Sequence, residues 1–305
     1  MTSTGLKRVV VAGGTGLVGR PLVQALVDQG AEVTVLTRNP GRGGLPAGAK
    51  ARAWEDLPAA LNGADAVINL AGEGIADKRW SAARKAVLLN SRVETTKRLV
   101  EAMRACPQPP AALVNASAIG FYVPAGEEPV DEGSDSGMGF LAEVCRAWEV
   151  EAIAAGAFGV RVALVRIGVV LAREGGALPK MALPVRWFQG CKLGRGTQGL
   201  SWIHLDDLVA MFVEAARNPA WRGAFNGTAP QPLSNEAFTQ ALAKRLHRPL
   251  LPVPGFVTAA ATKLVLGELA EALLLQGAFV KPTRVLAQGF QFRFPTADMA
   301  LADLL

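Results

Sequence analysis

The feature that most constrains this chain is a glycine-rich turn near its start. A short apolar run, KRVVVA over residues 7–12, leads directly into Gly13-Gly14-Thr15-Gly16-Leu17-Val18-Gly19. Val18, Leu22, Ala25, Leu26 and Gln29 then recur at helical spacing until Gly30. A buried strand, a tight turn and a helix are therefore expected in that order. Both GxxGxxG and GxGxxG spacings are met. Glycine there permits the turn, close helix–strand packing and the approach of backbone to a pyrophosphate. The helix N-terminus offers N–H donors and the positive end of its dipole to the anion. Gly13, Thr15, Gly16, Leu17, Val18 and Gly19 are thus expected to hold the phosphates of a dinucleotide.

The rhythm continues through the first half. Strands are predicted at 32–37 (EVTVLT), 50–54, 64–70 (ADAVINL), 112–117 (ALVNAS) and 160–167 (VRVALVRI), with helices from Asp56, over 80–104 and over 140–155 between them. Repeated βαβ units predict an α/β fold with a doubly wound parallel sheet and ligands at the carboxyl ends of its strands. After Leu171 the rhythm breaks. Residues 172–200, rich in Gly, Pro and Lys/Arg, read as an excursion over a site; a helix at 206–217 and a strand at 223–227 return to the sheet. From Pro230 the pattern is helical, with Ser234 as N-cap. The expected division is a dinucleotide-binding domain over 1–171, rejoined by 201–228, and a small, mostly helical lobe from 172–200 and 229–305.

The second strand ends Leu36-Thr37-Arg38. A site selective for NAD would place an acid there for the ribose hydroxyls. A guanidinium instead suits a 2′-phosphate, so Thr37 and Arg38 predict NADP(H).

Composition narrows the class further. With 50% hydrophobic and 19% charged residues the 305-residue chain can fill a core, which excludes global disorder. Its net charge of +6 is spread without a block of five like charges, and aromatics are 6%, so neither nucleic acid nor a membrane surface is expected as a partner. The densest basic stretch, Arg38, Arg42, Lys50 and Arg52, flanks the expected 2′-phosphate position. Cys106, Cys145 and Cys191 form no CxxC pair, and His204 and His247 are the only histidines, so neither a disulfide framework nor a metal site is expected. The N-terminus lacks an apolar h-region, and the apolar stretch 256–275 is broken by Lys263, Glu268 and Glu271. That stretch reads as buried amphipathic helix, and the expected compartment is the cytoplasm.

The stretches GGTGLVGR (13–20), VTVLTRNP (33–40), AVINLAGEGIADKRW (66–80), SRVETTKRLVEA (91–102), NASAIGFY (115–122), FLAEVCRAWE (140–149), SWIHLDDLV (201–209) and QGFQFRFP (288–295) together resemble the extended short-chain dehydrogenase/reductases. More closely, they are similar to the atypical "epimerase family" branch with a C-terminal domain of unknown function. The resemblance implies a Rossmann domain for NADP(H) and a small C-terminal lobe. It also implies cofactor contacts at Thr37 and Arg38, at Leu70, Ala71 and Gly72 after the fourth strand, and at Arg92. The superfamily's catalytic Tyr-x-x-x-Lys is absent: Phe140 and Val144 stand in its place.

Two of the remaining candidates for chemistry lie at or just after the end of the fifth strand. Ser117, at the superfamily's serine position beside the nicotinamide, offers a hydroxyl to a substrate carbonyl. Tyr122, the only tyrosine, either donates a proton or lines the pocket. Glu73 is either an acid or base or a loop carboxylate. Cys145 reads as a buried thiol, His204 as structural, and Trp80, Trp187 and Trp202 either as aromatic walls or as ordinary packing. The expected function is an NADP-dependent oxidoreductase acting on a small carbonyl or hydroxyl compound. The alternatives are a non-catalytic NADPH-binding redox regulator and, less favoured, a nucleotide-sugar epimerase. The sequence leaves the substrate and the oligomeric state open.

Overall fold

A computed structural model describes residues 5–42, 44–123 and 127–305. Its centre is a seven-stranded sheet: β1 (Arg8–Ala12), β2 (Glu32–Leu36), β3 (Lys50–Arg52), β4 (Ala66–Asn69), β5 (Ala112–Ala118), β6 (Arg161–Ile167) and β7 (Gly223–Gly227). The spatial order is β7-β6-β5-β4-β1-β2-β3, with every neighbouring pair parallel. The order in which strands are added reverses at β1, with β2 on one side and β4 on the other, which opens the crevice where the glycine turn lies. The continuous apolar runs follow from two-sided burial: Val9–Ala12 and Ala66–Ile68 are all at 2% exposure or less.

Helices cover both faces. On one side α1 (Gly19–Asp28) buries Leu22, Val23 and Leu26, and α6 (Leu205–Arg217) buries Leu208, Met211, Phe212 and Ala215. On the other lie α2 (Leu57–Leu61), α3 (Ala82–Ala105) and α4 (Phe140–Ile153). Arg161, buried at the start of β6, donates to the carbonyls of Ala215, Ala216 and Trp221. It thereby satisfies orphan acceptors at the end of α6.

A second core joins Leu171, Leu178, Trp202, Phe238, Leu242, Phe294 and Leu301. It is built from α5 (Leu178–Arg186), α7 (Asn235–Leu246) and the C-terminal helix Ala297–Leu304. Ser234 caps α7 as expected, accepting from the Ala237 N–H. The excursion over 172–200 contains the helix α5, which its glycines and prolines concealed: Pro179 sits in the first turn, where its missing N–H is harmless, although Pro184 lies inside. The 256–275 stretch is helical, as α8 (Gly255–Leu266), α9 (Glu268–Ala270) and a π-helical turn at Glu271–Leu275. It is not the buried helix expected, because α8 leaves Phe256, Leu264 and Val265 in solvent beside Lys263, which pairs with Glu271. Among the described residues no helix is long and apolar enough to cross a membrane.

The segment 201–209 ties the two cores together. Trp202 is fully buried in the second core. His204 caps α6, its Nδ1 accepting from the Asp206 N–H at 3.1 Å, and its ring stacks on Phe294. The Asp207 carboxylate accepts the N–H groups of Arg293 (2.7 Å) and Phe294 (2.9 Å), although burial pushes its pKa up.

Candidate active site

Three glycines of the turn answer to contacts within the protein. A Cβ on Gly13, whose φ is +79°, would stand 2.7 Å from the Leu70 carbonyl at the end of β4. On Gly14 it would meet Val35 Cγ1 at 2.8 Å, and on Gly19 the Gly13 carbonyl oxygen at 2.2 Å. Gly16 differs, for a Cβ there would find only the Gly13 oxygen, at an ordinary 3.4 Å. Nothing in the protein requires Gly16 to lack a side chain, so the space it leaves suits a ligand lying against the backbone. No side chain caps α1 at Val18, which leaves that helix end to an anion. A groove beside the turn runs between Thr15, Gly16 and Leu17 and the loop Ala172–Glu174. The next two residues of that loop, Gly175 and Gly176, pack on the Leu17 side chain.

From the end of β2, Arg38 projects into solvent with 85% of its side chain exposed. Its guanidinium lies 3.7 Å from Glu73, in the loop after β4. Thr37 Oγ1 accepts the Asn39 N–H, so its hydroxyl proton remains available to donate. The Arg42 side chain lies outside the described residues. Glu73 also meets Arg84 at 3.4 Å and is therefore a loop carboxylate between two arginines.

The β4–α3 loop carries Leu70, Ala71 and Gly72 along the crevice. The Ala71 N–H is held by Asn69 Oδ1, and Asn69 is fixed in turn by Thr96 and Asn115. Arg92 lies beneath this loop. It donates to the Glu73 and Leu88 carbonyls, each at 3.0 Å, and covers the Trp148 ring. A Cβ on Gly72 would crowd the Arg92 guanidinium carbon at 3.1 Å. Burial lowers the Arg92 pKa.

Ser117 and Tyr122 are both buried, at 2% and 1% exposure. Ser117 Oγ donates to Glu149 Oε1 at 2.6 Å. Arg166 grips the same carboxylate with two bonds of 2.8 Å and donates to the Tyr122 hydroxyl at 2.7 Å. Tyr122 donates onward to Asn226 Oδ1 at 2.9 Å. Burial, the largest influence, pushes the Tyr122 pKa up despite the Arg166 charge, so the phenol stays neutral. Burial also opposes the Arg166 charge, but Glu149 outweighs it and the pKa rises. Both candidate hydroxyls thus belong to a buried network linking β5, α4, β6 and β7. Sequence reading missed Glu149, Arg166 and Asn226. Its available signal was charge within apolar patterns, at Glu149 among Val144, Cys145, Trp148 and Ala152, and at Arg166 within VRVALVRI.

At the start of α4, the Phe140 ring meets Trp80 edge-on at 5.2 Å between centroids. Val144 is buried. Of the three tryptophans, Trp80 alone stands beside this position. Trp187 is 71% exposed at the end of α5 and Trp202 is interior. Cys145 is buried, and burial pushes its thiol up to about 11. Near pH 8 it is expected to resist iodoacetamide while the half-buried Cys191 reacts, which peptide mass spectrometry of the folded protein would read. Rapid labelling of Cys145 would contradict its enclosure. Among the described residues no group of three His, Cys, Asp or Glu side chains is placed to hold a metal ion.

Residues 9–226 match the NAD dependent epimerase/dehydratase family, and residues 257–304 match a domain of unknown function, DUF1731. An Arabidopsis thaliana protein described as "Epimerase family protein SDR39U1 homolog, chloroplastic" is 40% identical, over 97% of this chain and 86% of its own length. The crystal structure of human epimerase family protein SDR39U1 with NADPH superposes with a TM-score of 0.87 at 36% identity, covering 97% of this chain and 98% of the human one. A Corynebacterium glutamicum protein described as a nucleoside-diphosphate sugar epimerase gives a TM-score of 0.79 at 34% identity, over 98% of this chain and 58% of its own.

Proposed function

This chain belongs to the NAD dependent epimerase/dehydratase family and carries a DUF1731 domain at its C-terminus, and from that premise we propose that it binds NADP(H) and exchanges hydride with a small carbonyl or hydroxyl compound. The observation that carries the cofactor assignment is the glycine turn after β1 together with an exposed Arg38 after β2, the strand paired with β1. The human relative crystallised with NADPH supports the same reading. Gly13, Thr15, Gly16, Leu17, Val18 and Gly19 would take the pyrophosphate, and Thr37 and Arg38 the 2′-phosphate. Leu70, Ala71 and Gly72 would lie along the dinucleotide, with Arg92 holding their loop from below. The bound nicotinamide supplies hydride chemistry; the protein supplies position and electrostatics. Three free cysteines, two of them buried, accord with a reducing compartment such as the cytoplasm.

Gly16→Ala tests the turn without disturbing the fold. The added methyl has room within the protein, so the melting temperature is expected to stay within about 2 °C of the parent. It would intrude on the phosphates, and NADPH affinity is expected to fall at least about tenfold. Unchanged affinity by fluorescence titration would detach the turn from the cofactor.

For Ser117 and Tyr122, the buried network supports a positioning role over proton transfer. Their engagement, with Phe140 and Val144 in place of the usual pair, favours the second reading, a non-catalytic NADPH-binding regulator. NADPH oxidation across a panel of small aldehydes, ketones and quinones separates the two: turnover with any compound supports the oxidoreductase, and none across the panel favours the regulator. Epimerisation of UDP-glucose is not expected, because Phe140 and Val144 transfer no protons. Robust interconversion with UDP-galactose would reverse that judgement.

A further inference from the structure

Where the Tyr-x-x-x-Lys pair is missing, the structure brings another ammonium. Lys85, on the first turn of α3, places Nζ 5.2 Å from the centre of the Phe140 ring and 5.9 Å from that of Trp80. It is bonded to Glu268 at the start of α9, 183 residues away, and 28% of its side chain is exposed. The arrangement is therefore a cation over two aromatic faces, held by one carboxylate from the C-terminal lobe and open to solvent on one side. Leu141, the residue after Phe140, lies against the turn that follows β5, where a Cβ on Gly120 would meet its Cβ at 3.1 Å. Arg79 also approaches this junction, within 3.2 Å of where a Cβ on Gly267 would lie.

We propose that Lys85 is the oxyanion-stabilising and proton-donating group of this site, with Glu268 holding its ammonium. The inference rests on the oxidoreductase reading above. In the reductive direction the carbonyl carbon accepts hydride from the reduced cofactor, and the C=O π pair moves onto oxygen. That oxygen takes a proton from the Lys85 ammonium, giving the alcohol and oxidised cofactor, and solvent reprotonates the amine. A cation aimed at developing negative charge in a partly enclosed site does the work the phenol would otherwise do. The lobe's part is to supply Glu268, so the acid is assembled only where the two parts of the chain meet.

The position of the ammonium is tested without knowing the substrate. Sulfite adds through its sulfur lone pair to C4 of oxidised nicotinamide, forming a C–S bond while a ring π bond at C4 breaks and its pair moves onto the positive ring nitrogen, and the near-ultraviolet band of the product reports its stability. With NADP-saturated protein, Lys85→Gln is expected to weaken sulfite addition at least about tenfold, the loss of one charge-assisted contact. Lys85→Arg should retain most of it, with NADPH affinity within about twofold of the parent in both variants. Glu268→Gln, by releasing the ammonium from its anchor, should weaken sulfite addition by less than Lys85→Gln does, with NADPH affinity again within about twofold of the parent. If Lys85→Gln binds NADPH normally and adds sulfite as the parent does, Lys85 is not beside C4 and the proposal fails while the cofactor reading stands. If the parent does not bind NADPH at all, both fall together. A Lys85→Gln protein whose circular dichroism departs from the parent's is set aside for Lys85→Met, judged by the same outcomes.

Discussion

Glu149→Ala is expected to cost about 3–5 kcal/mol of folding stability, the largest loss from any single exchange near the site. The Glu149 and Arg166 side chains are 6% and 7% exposed and share two bonds of 2.8 Å. Without the carboxylate, Arg166 would keep a hydrogen bond to Tyr122 and the face of Phe121, its guanidinium carbon 3.5 Å from that ring's centroid. Neither neutralises a cation that has lost its water. Ser117 would lose its acceptor as well. The effect comes from stranding a charge, not from deleting a strong attraction, because a buried pair's Coulombic gain is largely offset by desolvation. Hence Glu149→Leu with Arg166→Met should recover most of the lost stability, although each single exchange is harmful. Urea denaturation of the parent, both single variants and the double variant reads this as a thermodynamic cycle. Additive losses in the double variant would mean that the pair is not an isolated unit. Ser117→Ala should cost less, about 1 kcal/mol, because the carboxylate keeps Arg166.

That cycle bears on what could be read in the chain before its fold was known. The glycine turn, the strand order of the first half and the placement of Thr37 and Arg38 depend on residues within about two turns or strands of each other. Local propensity and hydrophobic period therefore carried them. The roles of Ser117 and Tyr122 depend on partners 32 and 104 positions away, Glu149 and Asn226. No local pattern registers such pairings; it takes the sheet to bring β5, β6 and β7 side by side. The same holds for Lys85, whose partner comes from the far lobe. Helix α5 was hidden for a different reason: Pro179 and Pro184 sit in a span dense with glycine, and burial of Leu178, Ala182 and Val185 against the second core outweighs poor local propensity. Position in a fold thus singled out the two hydroxyls, but what they face was decided by tertiary pairing.

NADPH is expected to bind at least about tenfold more tightly than NADH, with the difference resting chiefly on Arg38. The two cofactors differ by one phosphate on the adenosine ribose. If the glycine turn holds the pyrophosphate as proposed, that ribose would fall at the end of β2, where a hydroxyl donor and a permanent cation stand instead of an acid. A charge-assisted bond contributes about 1.5–3 kcal/mol, or roughly one to two orders of magnitude in affinity. Glu73 sets the resistance to be overcome, since its carboxylate already lies 3.7 Å from the guanidinium. With 85% of the Arg38 side chain and 36% of Glu73 exposed, that ion pair contributes no more than about 1 kcal/mol, less than a phosphate gains in its place. Arg38→Ala should therefore remove most of the preference while leaving NADH affinity nearly unchanged. Glu73→Gln should move the other way, tightening NADPH by about threefold through loss of a competing anion. Because the site is open to solvent, the preference should shrink as salt rises. Fluorescence titrations of the three proteins with both cofactors, at two ionic strengths, decide the matter. An unaltered NADPH/NADH ratio in Arg38→Ala would show that this arginine is ordinary surface, and the 2′-phosphate would then have to be held elsewhere.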